Sequence, residues 1–109
     1  MSKRTEQVAA LLQQSINEIV IRDFEAPRGT LVSVSQVTVA PDLKNATVYV
    51  SVIPDSHWGS GLAAITKFSG HVQRELRNKI VIRSLPKLHW QLDERDYKYK
   101  KIDDALRQA

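Results

Sequence analysis

The chain has 109 residues, with 16 lysines and arginines against 12 aspartates and glutamates, and a formal net charge of +4. This length favours a single domain over residues 1–109, and 42% hydrophobic residues suffice for a small core. The absence of cysteine excludes disulfides, thiolate metal sites and cysteine nucleophiles. Apolar runs are far shorter than the roughly 20 residues of a membrane helix, and the N-terminus has no apolar signal core. We therefore expect a cytoplasmic protein with no membrane contact and a moderate preference for polyanions.

The first predicted element is an amphipathic helix over residues 2–22, because apolar residues recur there on one broad face. The members of this face are Val8, Leu11, Leu12, Ile16, Ile19 and Val20. We expect the helix to lie over a sheet. The basic residues Lys3 and Arg4 at its start are either solvated or in contact with phosphate, and the sequence leaves both interpretations open.

Residues 30–40 are rich in Val, Thr and Ser and predict the first strand. Its valines divide between even and odd positions, so strict alternation would send them to opposite faces. One extra residue near Ser35-Gln36 restores a single buried face, and we therefore expect a β-bulge there. The alternative is a strand buried on both faces, which Ser33 and Thr38 disfavour.

Residues 46–53 predict the second strand, since apolar and polar residues alternate there. The alanine and valines face the core, whereas Thr47, Tyr49 and Ser51 face the other side. The link over residues 41–45 contains Pro, Asp and Asn, which are typical of a turn. This short link predicts an antiparallel hairpin.

Residues 54–61 predict a loop that contains Trp58. This tryptophan either stacks on a base or packs as a lid, and packing is the favoured role for a lone tryptophan. Apolar residues from Leu62 to Phe68 then predict a short helix, for which Ser60 is the expected cap.

The stretch from Phe68 to Ile80 predicts a helix break at Gly70 and a second, basic helix that starts there. Residues 71–83 carry four positive charges against one negative charge. The positive residues are Arg74, Arg77, Lys79 and Arg83. A helix start at Gly70 would offer backbone N–H groups to a phosphate. His71 beside it is either a phosphate donor or a solvated residue of the first turn.

A turn at Pro86 leads to a third strand over residues 88–93, and residues 94–109 are expected to form a flexible tail. The predicted order is therefore α-β-β-α-α-β. A helical crossover between the last two strands favours parallel, right-handed pairing. The fold class is α+β, a two-layer sandwich with a three-stranded mixed sheet and helices on one face.

The sequence contains no convincing catalytic or metal-binding constellation. His57, His71 and His89 lie in different predicted elements and lack metal-ligand spacing. The pair Asp103-Asp104 lies in the tail, and Gly59-Ser60-Gly61 lacks the remainder of a phosphate-binding motif. We therefore expect no enzymatic activity, no metal, no cofactor and no small-molecule substrate. A metabolite-binding domain would need a concave polar site with coupled titratable groups.

Several short motifs occur in a distinctive order along the chain. They are Pro27-Arg28, Val37-Thr38-Val39, Asp42-Leu43, Ser69-Gly70, Val72-Gln73-Arg74 and Leu85-Pro86-Lys87-Leu88. Their order and spacing over about residues 4–105 resemble the ribosome-binding factor A family, which has a type II KH-like fold. Phe68 stands where that family has the alanine of its interhelical kink. Ordinary KH domains carry a Gly-x-x-Gly loop that clamps nucleotides, and this chain has none between its predicted helices.

The resemblance implies a ribosome assembly factor that binds the free or immature small (30S) ribosomal subunit and its 16S rRNA. Such a factor assists late maturation and 5′-end processing of the rRNA, especially in the cold. It acts without catalysis and as a monomer off the ribosome. The alternative is a KH-like module acting on another RNA, and a further one is a protein-interaction domain that uses the open sheet edge.

The expected RNA contacts fall into two ranks. Phosphate contacts are expected first from Arg74, Arg77, Lys79 and Arg83, with Ser69, Gly70 and His71 placing the helix start. The second rank comprises Lys3, Arg4, Arg28 and Lys44.

Overall fold

The computed structural model describes residues 3–80 and 84–93 of the chain. The elements are α1 (Lys3–Asp23), β1 (Leu31–Val39), β2 (Asn45–Ile53), α2 (Trp58–Lys79) and β3 (Lys87–Leu92), with a 3₁₀ turn at Asp55–His57 before α2. The strands form one sheet in the order β1-β2-β3. The α+β class with a three-stranded mixed sheet is thus confirmed. The predicted tail, residues 94–109, lies outside the described residues.

The hairpin and the parallel third strand form as the sequence predicts. β1 pairs antiparallel with β2, and β2 pairs parallel with β3. The register of the hairpin shifts between Val34 and Gln36, which confirms the predicted bulge. In this register the bulged Ser35 lies opposite no residue of β2, and its Oγ lies 2.7 Å from Asp93 Oδ2 and 3.1 Å from the carbonyl oxygen of Tyr49. The bulge therefore keeps valines on both sides of it in one core.

The core lies between one face of the sheet and the two helices. It contains Leu12, Ile16, Ile19 and Val20 of α1, alternate residues of β1 and β2, and Ile65, Val72 and Leu76 of α2. Each such side chain contributes about 1.5–3 kcal/mol when it is fully buried. On the opposite face, Thr47, Tyr49 and Ser51 are half-buried and His89 is exposed. Neither described helix is long and apolar enough to cross a membrane.

The predicted helix break at Gly70 is wrong, because α2 runs through this position from Trp58 to Lys79. Its buried residues Ile65, Val72 and Leu76 are spaced by seven and four positions, so one apolar stripe continues across the glycine. Packing against the sheet therefore favours a continuous helix, and a glycine inside a helix costs only about 1 kcal/mol relative to alanine. Within residues 54–80 and 84–86, the crossover contains one α-helix in place of the two expected.

The start of α2 also differs from the prediction, since Trp58 belongs to the helix and not to a loop. Its Nε1 donates a hydrogen bond to the carbonyl oxygen of Val52 at 3.0 Å, which favours the packing role over base stacking. The expected cap, Ser60, instead donates its hydroxyl to the carbonyl oxygen of His57. At Gly61 an added Cβ would lie 2.6 Å from Val52 Cγ1, so the helix meets the strand too closely for a side chain.

This close approach predicts different effects of alanine on stability at two glycines of α2. We expect Gly61→Ala to lower the free energy of unfolding by about 1–2 kcal/mol, because overpacking outweighs the gain in helix propensity. Gly59→Ala is the matched control, since nothing lies within 4 Å of a Cβ there. It should leave stability unchanged or raise it slightly. Urea denaturation measures the free energy of unfolding of both variants. Equal midpoints for Gly61→Ala and the wild type would contradict the close approach.

Candidate nucleic-acid interface

The outward side of α2 carries a row of cations, which we call the basic stripe, formed by Lys67, Arg74 and Arg77. Each residue of a helix turns the chain by about 100°, so these spacings of seven and three place the residues on one side, opposite the buried Val72 and Leu76. All three side chains belong to exposed residues. The stripe extends about 15 Å along the helix axis. Among residues 3–80 and 84–93, none of its members has an acidic partner.

A different side of α2 is tied to α1 by a set of ion pairs, which we call the α1–α2 zipper. The pairs are Glu18–Lys79, Arg22–Glu75 and Asp23–His71. They follow one another in opposite directions along the two helices, as expected for antiparallel neighbours. The zipper separates the predicted RNA contacts, because Lys79 and His71 engage carboxylates of α1 while Arg74 and Arg77 do not.

The end of α1 meets the middle of α2 through close polar and aromatic contacts. His71 Nε2 lies 2.8 Å from Asp23 Oδ2, and the His71 ring stacks on Phe68 at a centroid distance of 4.8 Å. Phe68 in turn contacts Phe24 at 5.1 Å. The bulky Phe68 therefore serves the contact with α1 within a continuous helix. The expectation that Ser69, Gly70 and His71 place a helix start is wrong, since no helix begins there.

The charges of the zipper perturb one another. The guanidinium of Arg22 holds the pKa of the Asp23 carboxyl well below its usual range, and a hydrogen bond from His71 lowers it further. The same contact with Asp23 raises the pKa of Arg22. The hydrogen bond with Lys79 lowers the pKa of Glu18. These carboxylates are therefore ionised at neutral pH and neutralise the cations that face them.

An open groove of about 710 Å³ lies at the C-terminal end of α2. Arg77 and Gln73 of α2 line one side, and the segment from Ser84 to Lys87 lines the other. Lys44 in the turn between β1 and β2 completes the rim. This position follows from the sheet, because the Lys87 backbone N–H donates to the Lys44 carbonyl oxygen at 2.9 Å. The groove thus gathers cations from three parts of the chain.

The turn that presents Lys44 is built locally. The Lys44 backbone N–H donates to the Asp42 carboxylate at 2.9 Å, and the Leu43 N–H donates to the carbonyl oxygen of Ala40. Aspartate commonly stabilises turns in this way. Because Arg77 belongs to both features, the basic stripe leads directly into the groove.

Comparison with known proteins assigns the chain to a protein family. Residues 4–106 match the family model of ribosome-binding factor A. The chain belongs to this family. A ribosome-binding factor A of Akkermansia muciniphila is 36% identical over 94 residues, which cover 86% of this chain and 74% of that protein.

Solved structures of the ribosome-binding factor A family share the fold. The crystal structure of the Thermus thermophilus protein has a TM-score of 0.70 and 24% identity, and the match covers 81% of this chain and 93% of that one. A homology model of the T. thermophilus protein, fitted into a cryo-EM map of its complex with the 30S subunit, has a TM-score of 0.65 at 24% identity. That match covers 78% of this chain and 90% of the other.

Sequence reasoning missed two cations of this interface. A helix break at Gly70 would place Lys67 and Arg74 on different helices, so the predicted elements do not group these two cations. The spacing of Lys67 to Arg74 across the glycine is the signal that could have found it. Lys87 lies at the start of β3, and only the parallel pairing with β2 brings it beside Lys44.

The remaining candidates lie apart from the groove or outside the described residues. Lys3 and Arg4 are exposed at the start of α1, and Arg28 is exposed in the turn before β1. None of the three lines the groove. Arg83 lies outside the described residues.

Because of the zipper, the free energy of unfolding should depend on pH in the acidic range. The folded pKa of Asp23 lies below its ordinary value, so the carboxylate stabilises the fold at higher pH and this contribution is lost as the pH falls. We expect Asp23→Asn to reduce the free energy of unfolding at about pH 5, with a smaller reduction at about pH 2.5. Urea denaturation at both pH values measures the difference.

Glu25→Gln is a suitable control for this prediction, because it removes a nearby exposed carboxylate that lies outside the zipper. Its effect should be small at both pH values. An effect of Asp23→Asn that is the same at both pH values would show that the carboxylate contributes nothing through its charge.

Proposed function

We propose that this chain is a ribosome assembly factor that binds the free or immature small ribosomal subunit through its 16S rRNA. In this proposal it assists late maturation and 5′-end processing of that rRNA, including at low temperature. The observation that carries the proposal is the basic stripe, which has no acidic partner within residues 3–80 and 84–93, in a chain of the ribosome-binding factor A family. The T. thermophilus relative, which has been placed in a 30S complex, gives further support.

The proposed mechanism uses binding energy alone. The factor binds one conformation of the rRNA more tightly than another and so shifts the population toward it, without catalysis. It works as a cytoplasmic monomer with no membrane contact and no small-molecule substrate. Cations that neutralise phosphates release counterions, so the affinity should fall as the salt concentration rises.

The proposed contacts follow from which cations have no acidic partner in residues 3–80 and 84–93. Arg74 and Arg77 are the main phosphate contacts, and we add Lys67 on the same side of α2. Lys79 is a weaker candidate because it already pairs with Glu18. His71 is a weaker candidate for the same reason, since it pairs with Asp23. The remaining proposed contacts are Ser69, Gly70, Arg83, Lys3, Arg4, Arg28 and Lys44.

Charge reversal in the stripe tests this assignment. We expect Arg74→Glu with Arg77→Glu to weaken binding to free small subunits by about ten-fold or more, because two phosphate contacts become repulsive. The circular dichroism spectrum should stay unchanged, since both side chains are exposed. Co-sedimentation with purified small subunits measures the affinity.

The matched control is Lys100→Glu with Lys101→Glu, which changes net charge by the same amount at two lysines that are not among the proposed contacts. It should weaken binding much less than the reversal at Arg74 and Arg77. Equal losses for the two double variants would show that net charge governs binding and that the stripe has no special role.

Gly70 provides a second test, because folding alone does not require glycine there. An added Cβ would meet only Arg74 Nη1, at 3.8 Å, and the position is exposed. We expect Gly70→Ala to raise the free energy of unfolding by about 1 kcal/mol, through helix propensity. It should nevertheless weaken subunit binding several-fold, since the missing side chain lets an RNA backbone approach the helix between Lys67 and Arg74.

Gly59→Ala is the control for this variant, as its Cβ also enters open space but lies near the start of α2. It should leave subunit binding unchanged. A Gly70→Ala protein that is more stable and binds as tightly as the wild type would remove Gly70 from the interface.

A further inference from the structure

The groove at the end of α2 has a property that the basic stripe lacks, namely an apolar floor. Ile80 is 8% exposed, Pro86 is buried and Leu85 is half-buried, and all three line the groove. Phosphates need only cations and hydrogen-bond donors, so a floor of this kind adds nothing to their binding. It suits the flat, weakly polar face of a nucleobase, which proteins commonly hold against apolar or aromatic side chains.

The polar and charged residues of the groove suit the edge of a base and the phosphates beside it. Gln73 and Ser84 offer hydrogen-bond donors and acceptors that match the edge of a base. Lys44, Arg77 and Lys87 line the same groove and can neutralise the phosphates on either side of that base. The volume of about 710 Å³ lies within the range of small-ligand pockets, about 300–1,000 Å³.

We propose that this groove binds an unpaired nucleotide of the RNA, with its base on the apolar floor and its flanking phosphates on the three cations. The inference rests on the proposed function, because it assumes that RNA lies along the basic stripe. Arg77 belongs to both the stripe and the groove, so a strand that follows the stripe reaches the groove without a gap. The stripe then supplies affinity for phosphate, and the groove selects an unpaired base next to it.

The experiment compares two RNA hairpins that differ at one end. One hairpin ends in three unpaired nucleotides, and the other is extended at that end by paired nucleotides. The extended hairpin carries the added charge, so charge alone would not make it the weaker ligand. We expect the wild-type chain to bind the hairpin with the unpaired end about ten-fold more tightly, as measured by fluorescence anisotropy at fixed salt. Equal affinity for the two hairpins would overturn the inference.

A variant of the floor tests where this preference arises. Leu85→Asn keeps every cation and should abolish the preference for the unpaired end, while affinity for the extended hairpin stays the same. Leu62→Asn is the matched control, since Leu62 is also half-buried but does not line the groove. It should retain the preference, and a Leu85→Asn protein that retains it as well would overturn the inference.

Amide NMR chemical shifts of the wild-type chain test the same inference without a substitution. The unpaired end should shift the signals of Gln73, Ser84 and Lys87 more than the extended hairpin does. Equal shifts for the two hairpins at these residues would contradict the groove as the binding site. The proposed function fails by a different result, the absence of binding to free small subunits, which the hairpins do not test.

Discussion

The packing of one uninterrupted helix on the sheet is the constraint on which the rest of the structure depends. The buried stripe of Ile65, Val72 and Leu76 fixes the rotation of α2, and Gly61 lets the helix start close to Val52. Once this rotation is set, the opposite side of the helix must face outward. The basic stripe is therefore a consequence of core packing, and its position cannot move without loss of buried apolar area.

Ion pairing then decides which of the remaining charges are available to a partner. The α1–α2 zipper engages Lys79 and His71 with carboxylates of α1, and no comparable carboxylate faces Arg74 or Arg77 within the described residues. A modest net charge of +4 can thus produce a local surface of cations without acidic partners in the described part of the chain. The shared position of Arg77 joins this surface to a groove whose floor is apolar. Charge and apolar area therefore meet at one end of α2.

The parts of the fold that depend on local pattern could be predicted from the sequence. Alternation placed the valines of the hairpin on one face and located the bulge at Ser35, and the helical crossover predicted the parallel third strand. The break at Gly70 was wrong because a glycine is a local signal, whereas the phase of the apolar stripe extends over the whole helix. For the candidate interface, charge alone predicts Arg74 and Arg77 but does not distinguish them from Lys79. The pairing of Lys79 could not be foreseen, because Glu18 lies 61 positions away in the chain.

The central claim is that three cations of α2, which have no acidic partner among the described residues, supply the contact with RNA. It is tested most directly by the salt dependence of binding to free small ribosomal subunits, for the wild type and for the variant Lys67→Gln, Arg74→Gln, Arg77→Gln. The plot of log affinity against log salt should become shallower by about 2–3 in slope, since each phosphate contact contributes about 0.7–0.9. An unchanged slope in the triple variant would show that other residues contact the phosphates.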